Sequence, residues 1–213
     1  MADDVKTREY RSSVREARAA ATRAAILTAA RDLFTAEGYS CTIAAIAARA
    51  GVAVDTVYAS VGRKPALVLA VIDMVLGDAD RPIAAVDRGY VSEIREAATA
   101  AEKIDAYARA LARLMPVVAP LQEALREAGR TDAECGAAWS GLVDRRAANM
   151  LLFARDLRGT GQLRRDLDDQ QVADLVWSTN SAEYFLLLAQ RGWTPEQFGA
   201  HLADLWTRFL LAG

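Results

Sequence analysis

The stretch from Thr22 to Lys64 constrains this chain more than any other, because three short helical patterns succeed one another there around Gly38, Gly51 and Gly62. Its centre reads Thr42-Ile-Ala-Ala-Ile-Ala-Ala-Arg-Ala-Gly51-Val-Ala-Val-Asp-Thr-Val-Tyr58, which is the spacing of a helix-turn-helix. If Ile43 opens the motif, Ala47 is its fifth residue, Gly51 its ninth and Val57 its fifteenth. A small fifth residue lets two helices approach closely, and glycine at the ninth takes a turn conformation that other residues resist. Ile43, Ile46, Ala50, Val52 and Val57 supply the apolar contacts that hold the helices crossed, leaving the second free to enter a DNA major groove.

Charge is distributed in the same sense. The 213 residues carry a net charge of only −2, which at first argues against nucleic acid. Residues 1–64, however, hold ten Lys/Arg against seven Asp/Glu, and the remainder holds sixteen against twenty-one. A basic head on an acidic body is the footprint of a local DNA interface. Strand signals are nearly absent and apolar content is 53%, so the expected class is all-α, with about nine helices.

Cys41 and Cys135 lie far apart without metal-ligand spacing, no uncharged apolar run reaches eighteen residues, and the acidic amino terminus has no apolar core. These point to a reduced, cytoplasmic protein with no membrane span, no metal and no cofactor.

Residues 1–21 place Arg8, Arg11, Arg15 and Arg18 three to four apart, either as a solvated extension or as an arm touching DNA. The first firm helix is expected from Thr22, burying Ile26, Ala29, Ala30, Leu33 and Phe34 and ending at Gly38 as a left-handed cap. Thr42 caps a second helix over 43–49, whereas Ala53 leaves the third, at about 53–60, without a side-chain cap. A fourth follows over 65–77. Coarser patterns predict helices at about 100–115, 117–129, 132–158, 168–190 and 195–211, with a short helix and a loop within 78–99. The expected division is an extension (1–21), a DNA-binding head (22–64) and a ligand-binding and dimerisation body (65–213).

These residues resemble a TetR-type transcriptional regulator. The likeness runs through Thr22–Phe34, Gly38-Tyr39, Thr42-Ile-Ala-Ala-Ile-Ala, Ala50-Gly51-Val52, Thr56-Val57-Tyr58 and Lys64-Pro-Ala-Leu67, about a fifth of the chain. It implies a homodimer on a palindromic double-stranded operator, answering to a small-molecule effector. It also implies that Thr42, Tyr58 and Lys64 meet phosphates, and that Val54, Asp55 and Thr56 face the groove. Ala53 and Ser60 flank these positions in the same interface. Two positions depart from the family pattern, since Ser60 and Val61 stand where aromatic residues are usual. Long side chains for reading bases are few, so readout rests on contacts such as Val54 with a thymine methyl and on DNA shape.

In the body, His201 is the single histidine, which removes Ser-His-Asp, Cys-His and multi-histidine schemes; it reads as a surface or interface residue, with a pH switch as the alternative. Gly159-Thr-Gly161 follows a helix and lacks the further glycine of a phosphate loop. The two cysteines read as small buried apolar residues, with redox sensing as the alternative. All four tryptophans fall in the carboxy-terminal half. Tyr107, Met115, Trp139, Asn149, Met150, Phe153, Trp177, Asn180 and Tyr184 form a candidate ligand site between helices, although apolar stripes of this kind also serve plain packing. Helix 168–190 is apolar on nearly all sides, which predicts cover from a partner subunit through Leu175 and Leu186, joined by Leu202, Leu205 and Phe209 of the last helix. The reading is a ligand-responsive regulator, most simply a repressor. Its rivals are a regulator with a filled core and no effector, and a small all-α enzyme on a borrowed head.

Overall fold

The computed structural model describes residues 2–77 and 87–212, with side chains from Val14 onward. The side chains of Arg8 and Arg11, and residues 78–86 of the ambiguous segment, lie outside the described residues.

Ten α-helices make up the described chain: α1 (Ala2–Glu37), α2 (Ile43–Ala50), α3 (Val54–Val61), α4 (Lys64–Gly77), α5 (Gly89–Glu96), α6 (Ala100–Ala128), α7 (Ala133–Gly159), α8 (Asp169–Thr179), α9 (Ala182–Ala189) and α10 (Pro195–Leu210). An isolated antiparallel bridge, Leu163 with Leu211, ties the α7–α8 connection to the end of α10.

Three boundaries differ from the sequence reading. α1 runs unbroken through the boundary expected at Thr22, so the basic extension continues the first helix of the head. Pro116 does not end a helix, because α6 carries both Pro116 and Pro120 in its interior. An interior proline costs about 3 kcal/mol, but α6 is the central helix, packed by α4, α5, α7, α9 and α10, and that burial outweighs the lost hydrogen bonds. The predicted helix 168–190 is two helices. Asn180 closes α8, and Ser181 turns to extended backbone (φ −77°, ψ 156°) and caps α9 by accepting from the Tyr184 amide. With that break, the picture of one helix apolar all round is replaced by two short helices with separate faces.

The apolar interior divides in two. One cluster joins Ile26, Phe34, Ile46 and Val57 of the head to Leu67, Val71 and Ile72 of α4 and to Leu114, Val118, Leu121 and Leu125 of α6. The other gathers Tyr107, Leu111, Met150, Phe153, Val176, Phe198, Leu202 and Trp206 in the body. α6 contributes to both.

Candidate nucleic-acid interface and ligand cavity

The head is built as its residues dictate. Thr42 Oγ1 accepts from the Ala45 amide at 3.1 Å and caps α2. Gly51, at φ 69°, closes α2 in the left-handed region and donates back to its last carbonyls. The axes of α2 and α3 bend by 97°, within the range of a helix-turn-helix. Ile46, Ala47 and Val57 are buried at the crossing. As expected, Ala53 gives α3 no side-chain cap.

With Val57 turned inward, the opposite face of α3 presents Ala53, Val54, Asp55, Tyr58 and Ala59 to solvent, with Thr56 and Ser60 half-buried. Arg23 Nη1 donates to the Ser60 carbonyl at 2.5 Å, pinning the end of α3 to α1. Lys64 donates to the Tyr39 carbonyl and lies 4.3 Å above the Tyr39 ring, so its ammonium is held at the head surface. Arg49 and Arg31 converge on Asp32, and their hydrogen bonds, Arg49 first, hold that carboxyl below its ordinary range.

Tyr39 links head to body. Its hydroxyl lies 3.0 Å from Cys135 Sγ at the start of α7, and burial followed by that contact pushes the phenol up. Cys41 and Cys135 are both buried and free, and burial raises the Cys41 thiol, which suits small packing residues.

Between the two apolar clusters lies a cavity of about 290 Å³. Leu76 of α4, Tyr90 and Ile94 of α5, a stripe of α6 from Tyr107 through Leu111, Met115 and Val118 to Gln122, and Leu142, Arg146, Asn149, Met150 and Phe153 of α7 line it. Asn180 completes the wall at the α8–α9 break, its amide nitrogen 2.8 Å from Tyr107 Oη and its oxygen accepting from Arg146 at 2.7 Å. Tyr107 is the hub: it meets Phe153 edge-on at 5.0 Å and Trp206 at 5.7 Å, and burial pushes its phenol up.

Of the nine residues assigned to a ligand site from sequence, Tyr107, Met115, Asn149, Met150, Phe153 and Asn180 line this cavity, and three do not. Trp139 packs against the head-side cluster. Trp177 lies under the Arg146 guanidinium, 5.5 Å from its centre to the ring. Tyr184 sits behind the break in the helix, with its hydroxyl 2.7 Å from His201 Nε2. Arg88, Gln122 and Arg146 were missed. Gln122 was legible in principle, as a polar residue on the stripe Tyr107, Leu111, Met115, Val118; Arg88 and Arg146 carry no such signal.

On the outer face of α8–α10, Leu175, Leu186 and Leu205 are half-buried, while Leu187 is 59% and Phe209 47% exposed. Leu202, assigned to the same face from sequence, is fully buried in the body core, because α10 turns that side toward α6. Among the described residues no single helix is long and apolar enough to cross a membrane, and no cluster of His, Cys, Asp and Glu has the geometry to hold a metal.

A crossed helix pair exposing one face of its second helix, mounted on an all-helical body with an internal cavity, is the architecture of helix-turn-helix regulators. Residues 26–71 match the family of bacterial regulatory proteins named for tetR, and the chain has a TetR-family head on a TetR-type fold. A transcriptional regulator from Saccharomonospora viridis in complex with choline is similar over 90% of this chain and 98% of its own, with TM-score 0.68 and 18% identity. SmeT in complex with triclosan is similar over 90% and 92%, with TM-score 0.63 and 18% identity. NalD of Pseudomonas aeruginosa, the secondary repressor of the MexAB-OprM multidrug efflux pump, is similar over 89% and 97%, with TM-score 0.55 and 21% identity. At such identities the likeness concerns the fold. No curated protein sequence matches the chain.

Proposed function

We propose that the protein is a homodimeric, ligand-responsive repressor that leaves a palindromic operator when a small, largely apolar effector enters the body. The observation that carries this reading is the position of the cavity. Its wall takes Leu114, Val118 and Leu142 from the cluster that holds the head, and Tyr107, Leu111, Met150 and Phe153 from the cluster of the body. A ligand there changes the packing between the two, and interiors packed this densely respond by shifting whole elements. α4, which packs on α1, α6 and α7, passes the shift to the head. Relatives of this fold hold choline and triclosan, and one is named a repressor, in keeping with an effector and with that sign of regulation.

In the bound state Thr42, Tyr58 and Lys64 meet phosphates. Val54, Asp55 and Thr56 meet base edges, and Ala53 and Ser60 allow close approach of the backbone. The dimer forms through the outer face of α8–α10, with Leu175, Leu186, Leu205 and Phe209 covered by their symmetry mates. Selection of genomic fragments by the purified protein, followed by sequencing, tests the reading. Enrichment of an inverted repeat supports it; recovery of unrelated fragments, with a monomer in sedimentation at micromolar concentration, overturns it.

A further inference from the structure

The polar groups in the cavity wall carry a sign. Arg146 reaches in from α7, and its Nη2 donates to the Trp177 carbonyl at 3.0 Å and to Asn180 Oδ1 at 2.7 Å, both uncharged acceptors. Among the described residues no carboxylate lies within ion-pair distance of it. A guanidinium has five N–H donors, so those on Nε and Nη1 remain without a protein acceptor among these residues. The Trp177 ring lies 5.5 Å from the centre of the guanidinium, and Arg146 is one of the residues that line the cavity. Burial pulls the Arg146 guanidinium below its ordinary range, more than the nearby Tyr107 and Glu183 offset.

Arg88 repeats the pattern. It is 8% exposed, its Nε is buried with no acceptor among the described residues, and its ion pair with Asp73 among these residues is long, at 3.5 Å. Asp73 is shared with Arg145 at 3.3 Å, so one carboxylate serves two guanidinium groups. Asp156, the acidic residue in the lining, has its Oδ2 3.0 Å from the buried Lys103 ammonium, an ion pair without hydrogen-bond geometry that offsets its charge. Gln122, 3% exposed, lines the same space and has a buried amide oxygen, Oε1, with no donor among the described residues. Leaving such groups unsatisfied is costly, and an uncompensated buried charge more so.

Building on the effector-site reading, we propose that the cavity is made for an amphipathic anion: an apolar body against Leu111, Met115 and Phe153, a carboxylate against Arg146 and Arg88, and a second polar group near Gln122. A quaternary ammonium ligand is disfavoured by the same charges.

The test compares three ligands with one ten-carbon chain: decanoate, decan-1-ol and decyltrimethylammonium. Each is titrated below micelle formation at pH 7.5 by calorimetry and by tryptophan emission, since Trp177 lies on Arg146 and Trp206 on Tyr107. Hydrogen bonds to a charged group imply that decanoate binds about tenfold or more tightly than the alcohol, and the ammonium more weakly still. Arg146→Gln should bring acid and alcohol within about threefold of one another. Arg146→Lys, which keeps the charge, should preserve the order, and Arg88→Gln gives a second variant should Arg146→Gln fold poorly.

The assignment is overturned if the alcohol or the ammonium binds as tightly as the acid. It is equally overturned if the preference survives loss of both arginines, or if none of the three binds. Repeating the titrations with operator fragments separates the two proposals. Decan-1-ol that binds as tightly as decanoate and weakens DNA affinity keeps the effector site and removes the anion. Arginine-dependent decanoate binding without any effect on DNA keeps the anion and removes the regulatory coupling.

Discussion

Gly199 lets α10 come close to α6, and replacing it measures how tightly these two helices are braced. A Cβ built there would lie 2.9 Å from the Ala112 Cβ and 3.1 Å from the Ala108 carbonyl oxygen. Ordinary carbon–carbon contact is about 3.5–4.0 Å, so the helices must part by a sizeable fraction of an ångström along this contact. Overpacking of this kind costs about 1–3 kcal/mol, while Gly→Ala inside a helix returns about 1 kcal/mol. Gly199→Ala should therefore destabilise by roughly 0–2 kcal/mol.

Gly141, exposed within α7 with nothing near its missing Cβ, isolates the second contribution. Gly141→Ala should stabilise by about 1 kcal/mol. Urea denaturation of the two variants should then separate them by about 1–3 kcal/mol, or roughly 2–12 °C in melting temperature for a chain of this size. If Gly199→Ala proves as stabilising as Gly141→Ala, the close approach of α10 to α6 is wrong.

Three further outcomes follow from the head and the surface. Lys64→Ala should flatten the salt dependence of DNA binding by roughly one unit of log–log slope for each phosphate no longer neutralised, whereas Thr56→Ala should alter preference among operator bases; gel-shift series across salt check both. Thr42→Ala removes the cap of an eight-residue helix and should cost about 1 kcal/mol in denaturation, with Thr42→Ser restoring most of it. Asp32 and Glu123 have carboxyls held below their ordinary range by Arg49 and Arg126 respectively, so each binds protons less readily folded than unfolded. Their contribution to stability is fully present above the ordinary carboxyl range and is lost as pH falls below that range and through the lowered folded-state values, and the Asp32 share should disappear from an acid titration in Asp32→Asn.

The head was legible because its signals are local. Gly51, the small Ala47, the Thr42 cap and the missing cap at Ala53 each act within a few residues, and each stands in the structure where the spacing put it. α6 was misread because the proline penalty is a local quantity, while the packing that overrides it comes from helices remote in sequence. The α8–α9 break did carry a local sign, Ser181 with the Tyr184 amide three residues on, but a strong apolar pattern on both sides hid it. The same break explains why Tyr184 left the candidate site and why Asn180 joined its wall, since ending α8 there turns the amide inward. Leu202 failed as a surface residue for a different reason: helical spacing shows which residues share a face, not which of two apolar neighbours that face will meet. Arg146 and Arg88 illustrate the remaining limit. Whether an arginine is solvated or aimed into a cavity depends on which carboxylates the fold brings beside it.

α6 belongs to both apolar clusters, and this decides how the molecule comes apart. Leu114, Val118, Leu121 and Leu125 close the underside of the head, and earlier on the same helix Tyr107 and Leu111 anchor the body. The head therefore has no floor of its own. Cut away after α4, it would expose Leu67, Val68, Val71 and Ile72 and lose the surface against which its three short helices are held. Loss of the body should melt the head with it, in one calorimetric transition shared by both halves, and a proteolytic fragment ending near Gly77 should aggregate instead of persisting as a miniature DNA-binding domain.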